Sequence, residues 1–446
     1  MSGFVRVNEV EGHALKDWLE QQFKITAQGS TVRRELTAGV TTFLAMAYII
    51  VVNPTILSDA GMDFGAVFVA TCLAAALGTL IMGLLANYPV ALAPGMGQNA
   101  FFTYAVVLGA GHPWQVALGA VFLSGVLFIV ISILPVREWV INAIPRNLKM
   151  GIAAGIGLFL AFIGMQNAGI VVDNPATLIG FGDLTSFAPI ATMAGFALIA
   201  GLTARGIPGA VVIGILVIAC LGWATGQAEF SGVAAMPPSA APVFLQLDIV
   251  GALNLSLLTV VLSLLLVDVF DTAGTLVGVA TRGGMLDEEG KLPRLRRALF
   301  ADSGATFFGA LLGTSSTTSY LESAAGVESG GRTGLTAVVV AALFIACLVF
   351  APLAQSVPAY ASAAALVFVA SVMARGLADV EWDEVTEAAP AVITALAIPL
   401  SYSIADGIGL GFVSYAAIKV FSGRAGECPI AVYILAALFG LKFALM

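Results

Sequence analysis

The stretch Leu253–Ala280, LNLSLLTVVLSLLLVDVFDTAGTLVGVA, is long enough to cross a bilayer, yet it carries two carboxylates, Asp268 and Asp271, three residues apart. About 20 apolar residues cover the roughly 30 Å of hydrocarbon. No Lys or Arg lies in the stretch to pair with the acids. A charge at the centre of a spanning helix costs roughly 2.5–3.5 kcal/mol on insertion scales. Acids kept at that depth face a cavity filled by water or cargo. The stretch therefore argues for a helical membrane protein that handles something polar.

The rest of the chain agrees. Of its 446 residues 59% are hydrophobic and 10% charged, and the mean hydropathy is +0.99; soluble domains carry about 25% charged residues. Apolar segments recur near 36–58, 65–87, 90–110, 113–135, 149–171, 187–205 and 208–226. A second series lies near 254–281, 297–313, 315–331, 333–353, 358–376, 386–402 and 405–421. The expected fold is an all-α polytopic membrane protein of about 14 segments, arranged seven plus seven. The net charge of −8 says little, because lipid-facing surface dominates. Residues 1–34 form a polar N-terminal segment without the apolar core of a signal peptide. Within it Leu15, Trp18, Leu19 and Phe23 recur at helical spacing, which predicts a short amphipathic helix on the membrane surface. The first repeat is 35–226, the linker 227–253 is polar with Pro237, Pro238 and Pro242, and the second repeat is 254–422. In the C-terminal segment 423–446, Pro429–Met446 reads either as a fifteenth span or as an interfacial helix. Four scattered cysteines and two histidines, His13 and His112, indicate neither a disulfide framework nor a metal site. No cofactor is expected. Nothing suggests a nucleic-acid partner.

Basic residues orient the chain. With the N-terminus cytoplasmic, the inside connections and their flanks hold 18 of the 19 Lys and Arg residues. Arg33, Arg34, Arg146, Arg282, Arg294, Arg332 and Lys419 are among them. Such asymmetry is the signature of cytoplasmic loops. An odd number of spans per repeat places the two halves inverted in the membrane. A shift of 223 residues sets Gly61-Met62 on Gly284-Met285 and Asn99 on Glu322. A shift of 201 sets Ala188-Pro189 on Ala389-Pro390 and Gly206-Ile207 on Gly407-Ile408.

The third and tenth segments look broken. The third, PVALAPGMGQNAFFTYAVV from Pro89, is interrupted by Pro94, Gly95 and Gly97. A short extended piece, Val90–Ala93, and a half-helix from about Gly97 are expected. The tenth, GTSSTTSYLESAAGVESGGRTG from Gly313, opens on a Ser/Thr run that favours an extended piece, with a half-helix from near Tyr320. Non-helical backbone at membrane depth survives only where protein or a cavity covers it. Broken segments at matching places in two repeats point to a midplane binding site. There Asn99 can donate and accept, and Asp268 and Glu322 can accept, or donate when protonated. This set suits a flat heterocycle with ring N–H, amine and carbonyl groups, with Phe101, Phe102 or Tyr320 available to stack on its faces. One acid could also exchange a proton, whose entry supplies about 2.3 kcal/mol per 100 mV.

The stretches STVRRELTAGVTTFLAMAYIIVVNP, ALAPGMGQNAFFTY, VDVFDTAGT, LPRLRRALFADS and GTSSTTSYLESAAGVESGGRTG resemble the azaguanine-type adenine/guanine/hypoxanthine permeases of the nucleobase–cation symporter superfamily. The resemblance runs from about Ser30 to Gly423. It implies a 7+7 inverted-repeat fold with a core domain (35–135 and 254–353) and a gate domain (149–226 and 358–422). It implies purine uptake coupled to protons across the cytoplasmic membrane, commonly by an elevator-like motion in a homodimer. By motif match, Asn99, Asp268 and Glu322 are similar to the family's substrate-contacting residues. Gly97 and Asp271 match positions near the site. Uracil- and xanthine-type relatives usually place Glu where Asp268 stands.

Other readings remain for single residues and for the whole. Asp271 reads equally as a group that orients Asp268 or a helix end. Glu328 reads as a surface group beside Arg332, Asp302 as an ion-pair or capping residue, and Asp406 as a cap after Ser403. A xanthine, uracil or anion transporter on the same scaffold is the nearest alternative. A membrane-embedded enzyme fits less well, since few His or Cys are present; a channel fits less well, since paired acids and broken helices at one site suit occlusion; and no GxxxxGK[ST] loop points to ATP-driven pumping.

Overall fold

The computed structural model describes residues 17–134, 144–287 and 292–445. Leu15 and the basic residues Arg6, Lys16, Arg137 and Lys291 lie outside them. The chain is mostly helical, as expected. Nine described helices are long and apolar enough to cross a membrane, and three shorter apolar ones accompany them.

In the first half, α1 (Val32–Met46) and α2 (Ile49–Asp59) form one span broken at Ala47–Tyr48. Then come α3 (Phe64–Ile81), strand β1 (Leu92–Pro94), and α4 (Met96–Ala100), which continues as a π-helix over Phe101–Gly109. Next are α5 (Trp114–Ile133) and α6 (Arg146–Asn167), a short β2–β3 hairpin (Val171–Asn174, Leu178–Phe181), α7 (Phe187–Ala204) and α8 (Ala210–Ala224). The second half holds α9 (Leu255–Gly283), α10 (Leu295–Leu312), β4 (Thr317–Ser319), α11 (Ser323–Glu328) and α12 (Gly334–Ala346, continued to Gln355). It ends with α13 (Ala359–Met373), α14 (Val385–Ser401), α15 (Ile404–Phe421) and α16 (Ile430–Leu445).

Both broken segments are broken where Pro, Gly and the Ser/Thr run predict. Their extended pieces pair with each other: β1 and β4 run antiparallel, with Leu92 opposite Ser319, Ala93 opposite Thr318 and Pro94 opposite Thr317. Gly95 N–H donates to the Ser316 carbonyl and Tyr320 N–H to the Ala91 carbonyl, each at 2.9 Å, which lengthens the ladder at both ends. Two interrupted helices thus satisfy each other's backbone where lipid could not. Pro94 and Thr317 are partners under the 223-residue shift, so the strand crossing sits on the repeat axis. Gly61 and Gly284, matched by the same shift, both follow a helix end at positive φ, +84° and +60°. The 201-residue shift fails. Gly206 turns the chain between α7 and α8 at φ +68°, whereas Gly407 lies inside α15.

Around the crossing α10 packs on α3 and α5, and α12 on α1 and α3. A second group is built on α6, which packs against α13 and α14, while α7 packs against α8 and α13. Glycine permits the closest approach in the first group. A Cβ on Gly334 at the start of α12 would lie 1.9 Å from the Gly83 carbonyl oxygen. The linker 227–253 crosses the helix ends, hydrogen-bonded through Ala235, Leu245 and Asp248 to Val349, Leu311 and Gln115.

The terminal segments are also placed. Residues 17–23 are helical, with Phe23 buried beside Leu335 while Trp18 stays exposed. The C-terminal helix α16 runs antiparallel along α15. Phe439 stacks on Phe412 and Lys442 Nζ pairs with Asp406 Oδ1 at 2.5 Å. Asp406 is therefore an ion-pair residue, and it is Ser403 that caps α15 by accepting from Asp406 N–H. At the far end Arg424 bridges Glu384 and Glu427 at 2.9 Å. Its guanidinium holds the Glu384 carboxyl down at about 2. Glu328 pairs with Arg282 at 2.8 Å rather than with Arg332, whose guanidinium bonds the Val327 and Gly331 carbonyls.

Candidate functional site

The α9 acids face the strand crossing. Asp268 is fully buried and its Oδ2 accepts from Thr306 Oγ1 of α10 at 2.7 Å. Thr306 Oγ1 also lies 3.0 Å from the Thr317 carbonyl, so one hydroxyl ties α9, α10 and β4 together. Gln98 and Thr318 flank the same carboxyl. Thr306 thus holds the Asp268 carboxyl in place.

Behind this lies a second buried carboxylate. Asp302 Oδ2 accepts from Thr272 Oγ1 at 2.6 Å, and Oδ1 accepts from Ser319 N–H at 2.8 Å and Ser319 Oγ at 2.7 Å. The ion-pair or capping role expected for Asp302 is therefore corrected: it fastens β4 to α9 and α10. Thr272 Oγ1 also meets Thr318 Oγ1 at 2.9 Å, which joins the Asp302 cluster to the Asp268 wall.

The other candidates converge on the same place. Asn99 is buried and its Oδ1 accepts from Ser315 Oγ of the tenth segment. Glu322 stands just before α11, and its Oε1 accepts from the Tyr48 hydroxyl at 2.6 Å. Tyr48 comes from the break between α1 and α2. Asp271 lies within electrostatic reach of both Asp268 and Glu322. Tyr320 is buried with its hydroxyl on the Pro94 carbonyl at 2.6 Å, and Phe101 and Phe102 are buried apolar packing. Gly97 marks a contact between elements, since a Cβ there would lie 2.2 Å from Ile156 Cγ2 on α6.

Six buried polar atoms here lack a hydrogen-bond partner among the described residues: Asp268 Oδ1, Gln98 Oε1 and Nε2, Asn99 Nδ2, Ser316 Oγ and Thr317 Oγ1. Roughly 90% or more of buried polar groups in proteins are paired. Six open atoms on two broken segments and one facing helix turn give the wall capacity for a polar ligand with both donors and acceptors. Among the described residues no set of three His, Cys, Asp or Glu is disposed to hold a metal ion.

Asp271 differs from its neighbours in being exposed, as are Gly274, Val277, Thr281 and Arg282 further along α9. A carboxylate exposed in mid-span must face water rather than lipid. Towards the other end Val267 and Leu264 are buried. An exposed stripe therefore runs along α9 from Asp271 to Arg282, while the same helix is buried on the other side of Asp271.

Sequence reasoning missed Gln98, Tyr48 and Thr306. Gln98 was legible as a polar residue inside the broken third segment. Tyr48 and Thr306 carried no signal of their own, because each acts through a contact made 274 or 38 residues away.

Two interrupted helices crossing at mid-membrane around buried acids define a membrane transport protein of the inverted-repeat class. The chain belongs to the family described as "Permease family" (Xan_ur_permease), whose model matches residues 33–410. It is a multi-pass membrane permease and not an enzyme. It is 49% identical over 424 residues to the adenine permease AdeP of Escherichia coli, covering 95% of each chain. It is 43% identical over 432 residues to the guanine/hypoxanthine permease PbuO of Bacillus subtilis, covering 95% of this chain and 100% of that one. Among solved structures, the transmembrane domain of the cyanobacterial bicarbonate transporter BicA superposes with a TM-score of 0.64 at 14% identity, covering 84% of this chain and 96% of that one. SLC26A9 superposes with a TM-score of 0.66 at 10% identity, covering 92% and 70%. These two likenesses show the shared fold.

Proposed function

We propose that this permease imports purine nucleobases by proton symport across the cytoplasmic membrane, with its N-terminus on the cytoplasmic side. The observation that carries the substrate class is the 49% identity to an adenine permease over nearly the whole length of both chains. The site supports it chemically. Asp268, Asn99 and Glu322 offer the base acceptors and a donor, with Gly97, Phe101 and Tyr320 shaping the surroundings. Asp268, Glu322 or Asp271 takes the coupling proton. The helices around the crossing act as the core, and those built on α6 and α13 act as the gate, in a homodimer. Adenine is the preferred candidate, because the adenine permease is more similar than the guanine/hypoxanthine permease, 49% against 43%. An anion cargo, suggested by the names of the structural neighbours, is disfavoured by buried carboxylates at the crossing.

Uptake of radiolabelled adenine, guanine, hypoxanthine and uracil into cells without their own base permeases tests the reading. Purine uptake is expected, abolished by a protonophore. Asp268→Asn and Glu322→Gln should each reduce it at least a hundredfold while protein still reaches the membrane. Absence of uptake of every purine by well-expressed protein defeats the assignment.

A further inference from the structure

Gln98 stands beside the Asp268 carboxyl but makes no hydrogen bond of full geometry to any described residue. It sits on α4 one residue before Asn99 and is 2% exposed. Its side chain folds back over Gly95: a Cβ on Gly95 would lie 2.9 Å from Gln98 Oε1 and 3.0 Å from Thr318 Cγ2. Glycine at 95 is thus what leaves room for the amide between the strand crossing and α9. The amide flanks the Asp268 carboxyl, yet Oε1, Nε2 and Asp268 Oδ1 are all without a partner at hydrogen-bonding geometry among the described residues. The hydroxyls nearby are committed elsewhere, Thr306 to Asp268 Oδ2 and Thr318 towards Thr272. A leucine or methionine of similar volume would fill this place without burying an unsatisfied amide.

We infer that Gln98 is a specificity-determining contact that reads the C6 edge of the bound purine. The inference rests on the purine-transport reading. A carboxamide presents one donor and one acceptor side by side and can turn over. The C6 edge of a purine presents the complementary pair: the amine of adenine beside an unprotonated ring nitrogen, or the carbonyl of hypoxanthine beside a ring N–H. Asp268, with one open oxygen at the same wall, takes a ring N–H of the same base. The adaptable amide explains how one wall accepts either a 6-amino or a 6-oxo purine, and it makes the C6 group, rather than the ring alone, the source of affinity.

Binding of adenine, hypoxanthine and unsubstituted purine to the purified full-length protein decides the matter, with Gln98→Leu and Gln98→Met compared with the unchanged chain. The unchanged protein should bind adenine or hypoxanthine at least tenfold tighter than purine, which lacks a C6 group. In both variants that preference should collapse towards unity, with purine affinity kept and ligand-free thermal stability equal to or above the unchanged protein's. An equal loss for all three ligands, or a preference that survives both substitutions, overturns the role of Gln98. If the unchanged protein binds no purine at all, the functional reading itself fails and the inference with it.

Discussion

Asp302 and Glu322 carry the same charge into the bundle and are held in opposite ways. Asp302 accepts three hydrogen bonds from Thr272 and Ser319, so its oxygens are occupied by the protein. Glu322 is held through one described side-chain bond, from Tyr48, and stands within reach of the exposed Asp271. The first arrangement is a fastening; in the second the carboxyl rests on a single side-chain hydrogen bond. A hydrogen bond to a charged group is worth about 1.5–3 kcal/mol. Removing the hydroxyl should therefore loosen Glu322 without disturbing the fold. Tyr48→Phe is expected to raise the KM for purine uptake about tenfold, with membrane abundance unchanged; uptake kinetics beside an immunoblot check this. An unchanged KM would show that Tyr48 does not orient the site. Asn99, Asp268 and Glu322 could be picked from the sequence because ionisable and amide groups stand out in apolar segments. The partners that position them could not. A threonine such as Thr306 or a tyrosine such as Tyr48 looks like ordinary bundle packing until the third dimension is known.

The two broken segments were legible as elements because proline and glycine act locally. Pro94, Gly95 and Gly97 stop a helix wherever they occur. Their pairing was not legible, since the β1–β4 register joins residues more than 220 positions apart. The 223-residue shift survived because two independent features obey it, the strand axis at Pro94 and the left-handed glycines Gly61 and Gly284. The 201-residue shift rested on dipeptides that any apolar helix supplies by chance. Gly97 illustrates a role that only packing reveals. It allows α4 to press against Ile156 of α6, which belongs to the second group of helices. In Gly97→Ala the new methyl group meets Ile156 Cγ2 at 2.2 Å, and overpacking of this kind costs about 1–3 kcal/mol. Uptake by Gly97→Ala should fall at least tenfold. The double variant Gly97→Ala/Ile156→Ala should recover most of it, because the second change removes the opposing atom. Failure of the double variant to recover would place the importance of Gly97 in the ligand itself.

The molecule as a whole is asymmetric about its site, and α9 displays the asymmetry along one helix. Asp271, Gly274 and Thr281 are exposed on the way to Arg282, whereas Val267 and Leu264 on the other side of Asp271 are buried. An exposed stripe on one side of the site with buried residues on the other suits a carrier whose cargo never sees both solutions at once. Apolar side chains fill the far side of Asp271. Gly274 is a suitable reporter, since a Cβ there meets nothing within 4 Å. With Cys72, Cys220, Cys347 and Cys428 replaced by Ala, Gly274→Cys should react with a membrane-impermeant thiol reagent added at the Arg282 face. It should be protected by purine. Val267→Cys should react slowly from that face and faster from the opposite one if the carrier alternates. Labelling of Gly274→Cys from the opposite face alone would mean that the exposed stripe does not communicate with the Arg282 end, and the route drawn along α9 would be wrong.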